Sequence, residues 1–190
     1  YLHRRQRQMC IRDRFYRVPS GDLYPSITSV TSFYNREIFY EWRKRVGDEK
    51  ANKITRESTF RGTKYHDLVE HYLKNEDINK IDNVLPSTKF LFLQSKELLD
   101  RIDNIHALEK SLYSDYFGLA GRVDCIAEYD GELAVIDFKT STKIKPEEWI
   151  ENYFVQETAY ACMYYEMTGI PVKKLITIMV AENGECKVYE

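Results

Sequence analysis

Four cysteines in 190 residues, Cys10, Cys125, Cys162 and Cys186, stand far apart with no C-x-x-C pair among them. That scatter excludes a zinc ribbon and a disulfide framework alike, and the thiols read as reduced and mostly structural. Long apolar runs are also missing. None approaches the roughly 20 residues that a membrane-spanning helix needs, so no membrane partner is expected. The opening residues hold no apolar core of the kind a secretory signal carries, which makes the cytoplasm the expected location. Eight glycines and five prolines gather nowhere into a linker, and no internal repeat or low-complexity tract divides the chain. What is present, 43% hydrophobic and 31% charged residues, suits one globular domain with a sizeable core.

The first fourteen residues, "YLHRRQRQMCIRDR", differ from the rest in charge and pattern. They are expected to be a non-native basic appendage, with a DNA-binding arm as the rival reading, and residues 15–190 a single domain that is expected to be clipped at its C-terminus. Removing the segment's five arginines and one aspartate from totals of 28 basic and 30 acidic residues leaves an excess of six acids. Any nucleic-acid site on such a body must be a local basic groove.

The stretch "GRVDCIAEYDGELAVIDFKTS", Gly121 to Ser141, reads as two strands around Asp130-Gly131, a pair suited to a two-residue type I′ loop. That loop sets a register in which Ile126 faces Val135 and Asp124 faces Asp137. Directly opposed carboxylates repel, and a divalent cation would offset the repulsion. Period-two alternation puts Asp124 on a face with Arg122 and Ile126, and Asp137 on a face with Lys139. One hairpin face would thus offer two hard oxygen ligands and an ammonium group. An exposed hairpin with ordinary surface charges is the bland alternative, against which stands "LAVIDF", apolar on both faces as a covered strand would be.

Around the hairpin, "YPSITSVTSFYNREIFYEWRKRVG" predicts two amphipathic helices behind a Ser/Thr cap. The next helix carries Tyr65, Leu68, Val69, Tyr72 and Leu73 on its apolar face. His66 and Glu70 share its shoulder, a spacing that serves a metal site or a plain polar flank. "PSTKFLFLQSKELLDRIDNI" predicts another helix, and "IHALEKSLYS", with Glu109, a strand. "KPEEWIENYFVQETAYACMYYEMTG" predicts a helix stopped at Gly169 whose inner stripe is Trp149, Tyr153, Tyr160, Tyr164 and Met167. Gln156 lies at the edge of that stripe, where an amide bonded to neighbouring backbone is the simplest reading. "KKLITIMVAENGECKVYE" predicts two strands joined at Asn183-Gly184.

Five of these stretches, "YPSITSV", "RGTKYH", "GRVD", "IDFK" and "QETAY", occur in the order of the motifs of one family. The chain resembles the PD-(D/E)xK nuclease superfamily, in its RecB-like branch, nearest the mitochondrial genome maintenance and phage-type exonucleases. The resemblance implies an α/β fold with a restriction-endonuclease-like core, a central mixed β-sheet flanked by α-helices. It implies a metal-dependent DNA exonuclease, acting on single-stranded DNA from free ends in repair, recombination or replication processing. A structure- or sequence-specific endonuclease and a non-catalytic nucleic-acid-binding module are the alternatives.

Carried onto this chain, the family pattern makes Asp124, Asp137 and Lys139 catalytic. His66, Asp124, Asp137 and the Phe138 backbone carbonyl become ligands of Mg²⁺ or Mn²⁺, with Glu109 in support. Gln156 and Tyr160 position the substrate. The four cysteines that bind an iron–sulfur cluster in some relatives are missing, so no such cluster is expected. Arg43, Lys44, Arg56 and Arg61 are the expected DNA-backbone contacts, and a bacterial or phage-infected cell is the expected setting. The chemistry points the same way, since phosphodiester hydrolysis needs an activated water and charge neutralisation, both supplied by divalent ions.

Overall fold

The computed structural model describes residues 15–190. The basic opening segment, Cys10 included, lies outside the described residues, as does the Tyr34 side chain. A short antiparallel ribbon, β1 (Phe15–Arg17) with β2 (Leu23–Pro25), leads into α1 (Ile27–Tyr34). Ser26 caps that helix by accepting a hydrogen bond from the Thr28 N–H at 3.2 Å, which satisfies one of the donors a helix start leaves open. Next come α2 (Arg36–Val46) and the 26-residue α3 (Asp48–Leu73), then α4 (Pro86–Leu99). Pro86 opens α4, where its missing N–H costs nothing.

The long strands follow: β3 (Ile102–Ser114), β4 (Leu119–Tyr129) and β5 (Glu132–Ser141). After α5 (Glu151–Thr168) come β6 (Lys174–Ala181) and β7 (Cys186–Tyr189). They form one sheet in the order β3-β4-β5-β6-β7, antiparallel except for the parallel β5–β6 pair. Parallel neighbours need a crossover, and α5 supplies it. The architecture is the expected α/β one, a central mixed sheet flanked by helices.

Both residues of the β4–β5 turn adopt positive φ, 53° at Asp130 and 82° at Gly131, as the type I′ loop requires. Strand β5 is covered on both faces. Ala134, Ile136 and Phe138 pack with Tyr65, Leu68 and Val69 of α3 and Leu91 and Phe92 of α4, while Val135 packs with Tyr160, Met163 and Tyr164 of α5. Each such large apolar side chain stabilises the fold by roughly 1.5–3 kcal/mol on burial. Helix α2 differs, since none of its residues is buried.

The inner stripe of α5 is shorter than its periodicity suggests. Tyr160 and Tyr164 are buried, but Trp149 is 70% exposed and Met167 39% exposed. Trp149 falls in a separate 3₁₀ turn, residues 147–149, before the helix begins at Glu151. That turn breaks the helical phase and rotates the indole outward. Met167 sits in the last turn, where its sulfur accepts the Tyr113 N–H at 3.4 Å. Gly169 then ends the helix at φ 75°, its N–H donating to the Tyr165 carbonyl at 2.7 Å.

Candidate active site

Strand alternation breaks at Asp124. Val123 and Ile126 pack in the cluster under α5, yet Cys125 packs in the cluster under α3 and α4. The β4–β5 ladder also stops one residue short of Asp124, at Cys125 opposite Ile136. Asp124 and Asp137 are therefore not the ladder partners that the register predicts. Instead Asp124 Oδ2 accepts the Phe138 N–H at 2.9 Å, so a side chain takes the place of the missing backbone partner. On the other side, Leu108 pairs with Cys125 and Lys110 with Val123, which leaves Glu109 and Asp124 in the gap between these rungs. Glu109 has φ 48°. A non-glycine residue held in that region costs of order 1–3 kcal/mol.

The kink turns two carboxylates toward α3. His66 Nδ1 lies 3.5 Å from Glu109 Oε1 and 3.7 Å from Asp124 Oδ1, and ligand atoms of the three residues all fall within 4.8 Å of one another. The other ring nitrogen, Nε2, donates to the Phe138 carbonyl at 2.8 Å. Burial alone would lower the imidazole pKa, but the charges of Asp124 and Glu109 outweigh it and lift His66 to about 9. Two carboxylates and an imidazole are a donor set that fits Mg²⁺ or Mn²⁺. Glu70 takes no part, since its Oε1 holds Lys74 Nζ at 2.6 Å.

Asp137 and Lys139 face α5 rather than α3. Lys139 Nζ lies 2.5 Å from Asp137 Oδ2 and 5.0 Å from the centre of the Tyr153 ring. Gln156 Nε2 donates to Asp137 Oδ1 at 3.3 Å and lies 3.5 Å from the Tyr160 hydroxyl. Its amide thus bonds side chains of the site, not neighbouring backbone. Burial pushes the Asp137 carboxyl up while Lys139 pulls it back. Burial likewise disfavours the Lys139 ammonium, but Asp137 and Asp124 more than offset that and hold its pKa above the usual lysine value. Phe138 alone separates Asp137 from Lys139, and its backbone amide and carbonyl bridge to Asp124 and His66.

Three of the four basic residues expected at DNA are engaged within the protein. Arg43 binds Asp48 at 2.7 Å and Asn52 at 2.9 Å, and Lys44 binds Glu41 at 3.1 Å. Exposed pairs of this kind are worth about 0–1 kcal/mol and exchange readily for phosphate. Arg61 differs: it is mostly buried, pairs with Glu182 and reaches Thr140, tying α3 to the ends of β5 and β6. That is a structural anchor, not a free phosphate contact. Arg56 is exposed.

Two site residues escaped the sequence reading. Arg122 Nε sits 2.7 Å from Glu109 Oε2, on the Asp124 face that period-two spacing had already assigned to it. Glu157 is fully buried behind Asp137, where the Thr177 hydroxyl donates to its Oε1 and Oε2 has no partner among the described residues. Burial, reinforced by the Asp137 charge, raises its pKa to about 8. A signal existed, because Glu157 stands at helical spacing from Tyr160, Ala161 and Tyr164 on the core face of α5.

Residues 36–182 match the family model of the PD-(D/E)XK nuclease superfamily, and the chain belongs to that superfamily. It is 29% identical over 147 residues to human mitochondrial genome maintenance exonuclease 1, which covers 72% of this chain and 40% of the relative. The Xenopus tropicalis protein of that name is 31% identical over 130 residues, covering 64% and 37%. The mouse protein is 28% identical over 130 residues, covering 64% and 38%. The chain thus spans about two fifths of the length of these relatives. They are animal proteins named for the mitochondrion, and lend the expected bacterial or phage setting no support. No described helix is long and apolar enough to cross a membrane.

Proposed function

We propose that this chain is a metal-dependent deoxyribonuclease, an exonuclease that hydrolyses single-stranded DNA from free ends in repair, recombination or replication processing. The observation that carries the reading is the His66, Glu109 and Asp124 cluster set beside the Asp137–Lys139 pair. His66, Glu109 and Asp124 hold the cation, the Phe138 carbonyl orients the imidazole by accepting from Nε2, and Asp137 lies beside them and holds Lys139. The chemistry a bound Mg²⁺ or Mn²⁺ supplies is a water nucleophile at neutral pH and charge neutralisation at the phosphate. Lys139, kept protonated by its carboxylate neighbours, orients the attacking water and stabilises the charge that builds up on the phosphoryl oxygens. Gln156 and Tyr160 hold Asp137 in place.

Preference for a single strand is supported by α1 and α2. Phe33, Phe39 and Tyr40 are exposed there, with Arg43 stacked over Phe39 and Lys44 over Tyr40. Aromatic rings beside cations bind unpaired bases without reading sequence, at about 1–3 kcal/mol per base. The relatives' name, exonuclease, supports the end requirement. Residues 1–14 are no part of the nuclease domain, and their deletion leaves the cleavage rate and melting temperature unchanged.

The test compares linear with covalently closed circular single-stranded DNA of one sequence, in Mg²⁺, Mn²⁺ or EDTA. The proposal expects only the linear form to disappear, and only with metal. Equal loss of both forms supports the endonuclease reading. Binding without cleavage in either metal supports a non-catalytic module.

A further inference from the structure

Arg122 is joined to the cation cluster without belonging to it. Its Nε lies 2.7 Å from Glu109 Oε2, while Glu109 Oε1 faces His66 Nδ1 at 3.5 Å. The Glu109 side chain is 15% exposed and that of Arg122 is 49% exposed. The guanidinium is thus ion-paired with a mostly buried carboxylate. Its two terminal nitrogens have no hydrogen-bond partner among the described residues.

A stabilising role does not account for this pair. An ion pair as exposed as this contributes little to stability, whereas the Glu109 backbone conformation that supports it, at φ 48°, is a strained one for a non-glycine residue. His66 Nδ1 already faces the other oxygen of Glu109 at 3.5 Å. What the arrangement does provide is a planar fork of donors held in one orientation, the geometry that matches a phosphate group through two parallel hydrogen bonds. Arg122 is two residues from Asp124 on the same strand and the same face, about 7 Å along β4. A phosphate at the cluster is within reach of the guanidinium.

We propose that Arg122 grips a phosphate of the bound nucleic-acid strand beside the cation cluster, and that Glu109 fixes the plane of its guanidinium. The inference rests on the nuclease reading, and its test separates the two. The measurement is fluorescence anisotropy of a labelled single-stranded oligonucleotide in EDTA, titrated at several salt concentrations, with melting temperature as the fold control. Arg122→Ala should weaken binding by about tenfold, the contribution of a charge-assisted hydrogen bond. It should also flatten the plot of log affinity against log salt by about 0.7, one phosphate contact on a single strand. Arg122→Lys should keep the salt slope and recover part of the affinity, since it restores the charge but not the fork. Wild-type affinity and slope in a folded Arg122→Ala protein overturn the inference. So does a loss of Mn²⁺ affinity with metal-free DNA binding unchanged, which would make Arg122 only a brace for Glu109. If the wild-type protein neither binds nor cuts DNA, the nuclease reading fails first. If it does both and Arg122→Ala binds equally well, only the phosphate grip fails.

Discussion

The Asp124 carboxylate accepts the Phe138 N–H at 2.9 Å where β4 and β5 have ceased to pair. Phe138 is buried, and an unsatisfied N–H there would cost about 1–3 kcal/mol. Asparagine keeps an acceptor oxygen at this position and alanine does not. Asp124→Asn should therefore stay close to wild-type stability, while Asp124→Ala falls about 1–3 kcal/mol below it. Both should lose metal-dependent cleavage. Urea unfolding of the two variants decides the structural half, and equal stability of Ala and Asn would show that the bond contributes nothing.

Lys139, whose side chain keeps 23% exposure, pairs with a buried Asp137 that is only 2% exposed, its Oδ2 2.5 Å from the ammonium. Removing one partner of such a pair costs about 3–5 kcal/mol, because the other charge is left in a poorly solvating place. Lys139→Ala should lose both cleavage and stability. Adding Asp137→Asn should return most of the stability and none of the activity. A double variant no more stable than Lys139→Ala would count against the uncompensated-charge account.

Gly121 is a glycine because α5 comes too close for anything larger. A Cβ there would lie 2.6 Å from Tyr160 Cε1 and 3.1 Å from Ile27 Cγ2. Gly121→Ala should cost about 1–3 kcal/mol, the usual range for overpacking. By pushing Tyr160 away, it should also loosen Gln156 from Asp137 and lower turnover. Pairing it with Tyr160→Phe removes only the hydroxyl and leaves the ring clash, so no rescue is expected. Full recovery of stability in that double variant would place the conflict at the hydroxyl instead.

Glu157 gives a pH dependence of known sign. Its pKa rises from an ordinary 4.5 to about 8 in the folded protein, so between those values the folded state keeps a proton that the unfolded chain has released. Stability from this group is full below about pH 4.5, falls as pH climbs, and levels off above about pH 8. Glu157→Gln imitates the protonated form and removes the slope. Its melting temperature should match wild type near pH 5 and exceed it near pH 8.5. Parallel curves for the two proteins across that range would mean that Glu157 ionises normally.

The sequence by itself determined whatever depends on neighbours in the chain. Asp130-Gly131 set the hairpin turn, the apolar run "LAVIDF" marked β5 as covered on both faces, and helical spacing placed Tyr65, Leu68 and Val69 in the core. The same locality brought Asp137 and Lys139 to one face and His66 to the shoulder of α3. What only the tertiary structure decided lies where three strands and two helices compete for the same residues. Strand β4 is paired with β3 on both sides of Asp124 but with β5 only from Cys125 onward. The resulting kink turns Asp124 and Glu109 toward His66 and leaves Asp137 and Lys139 to α5. No spacing rule reports such a kink, because strand periodicity assumes an unbroken ladder. The ionisation of Glu157 is hidden in the same way, since a charged letter within a helix does not tell how much water the packed sheet will leave around it.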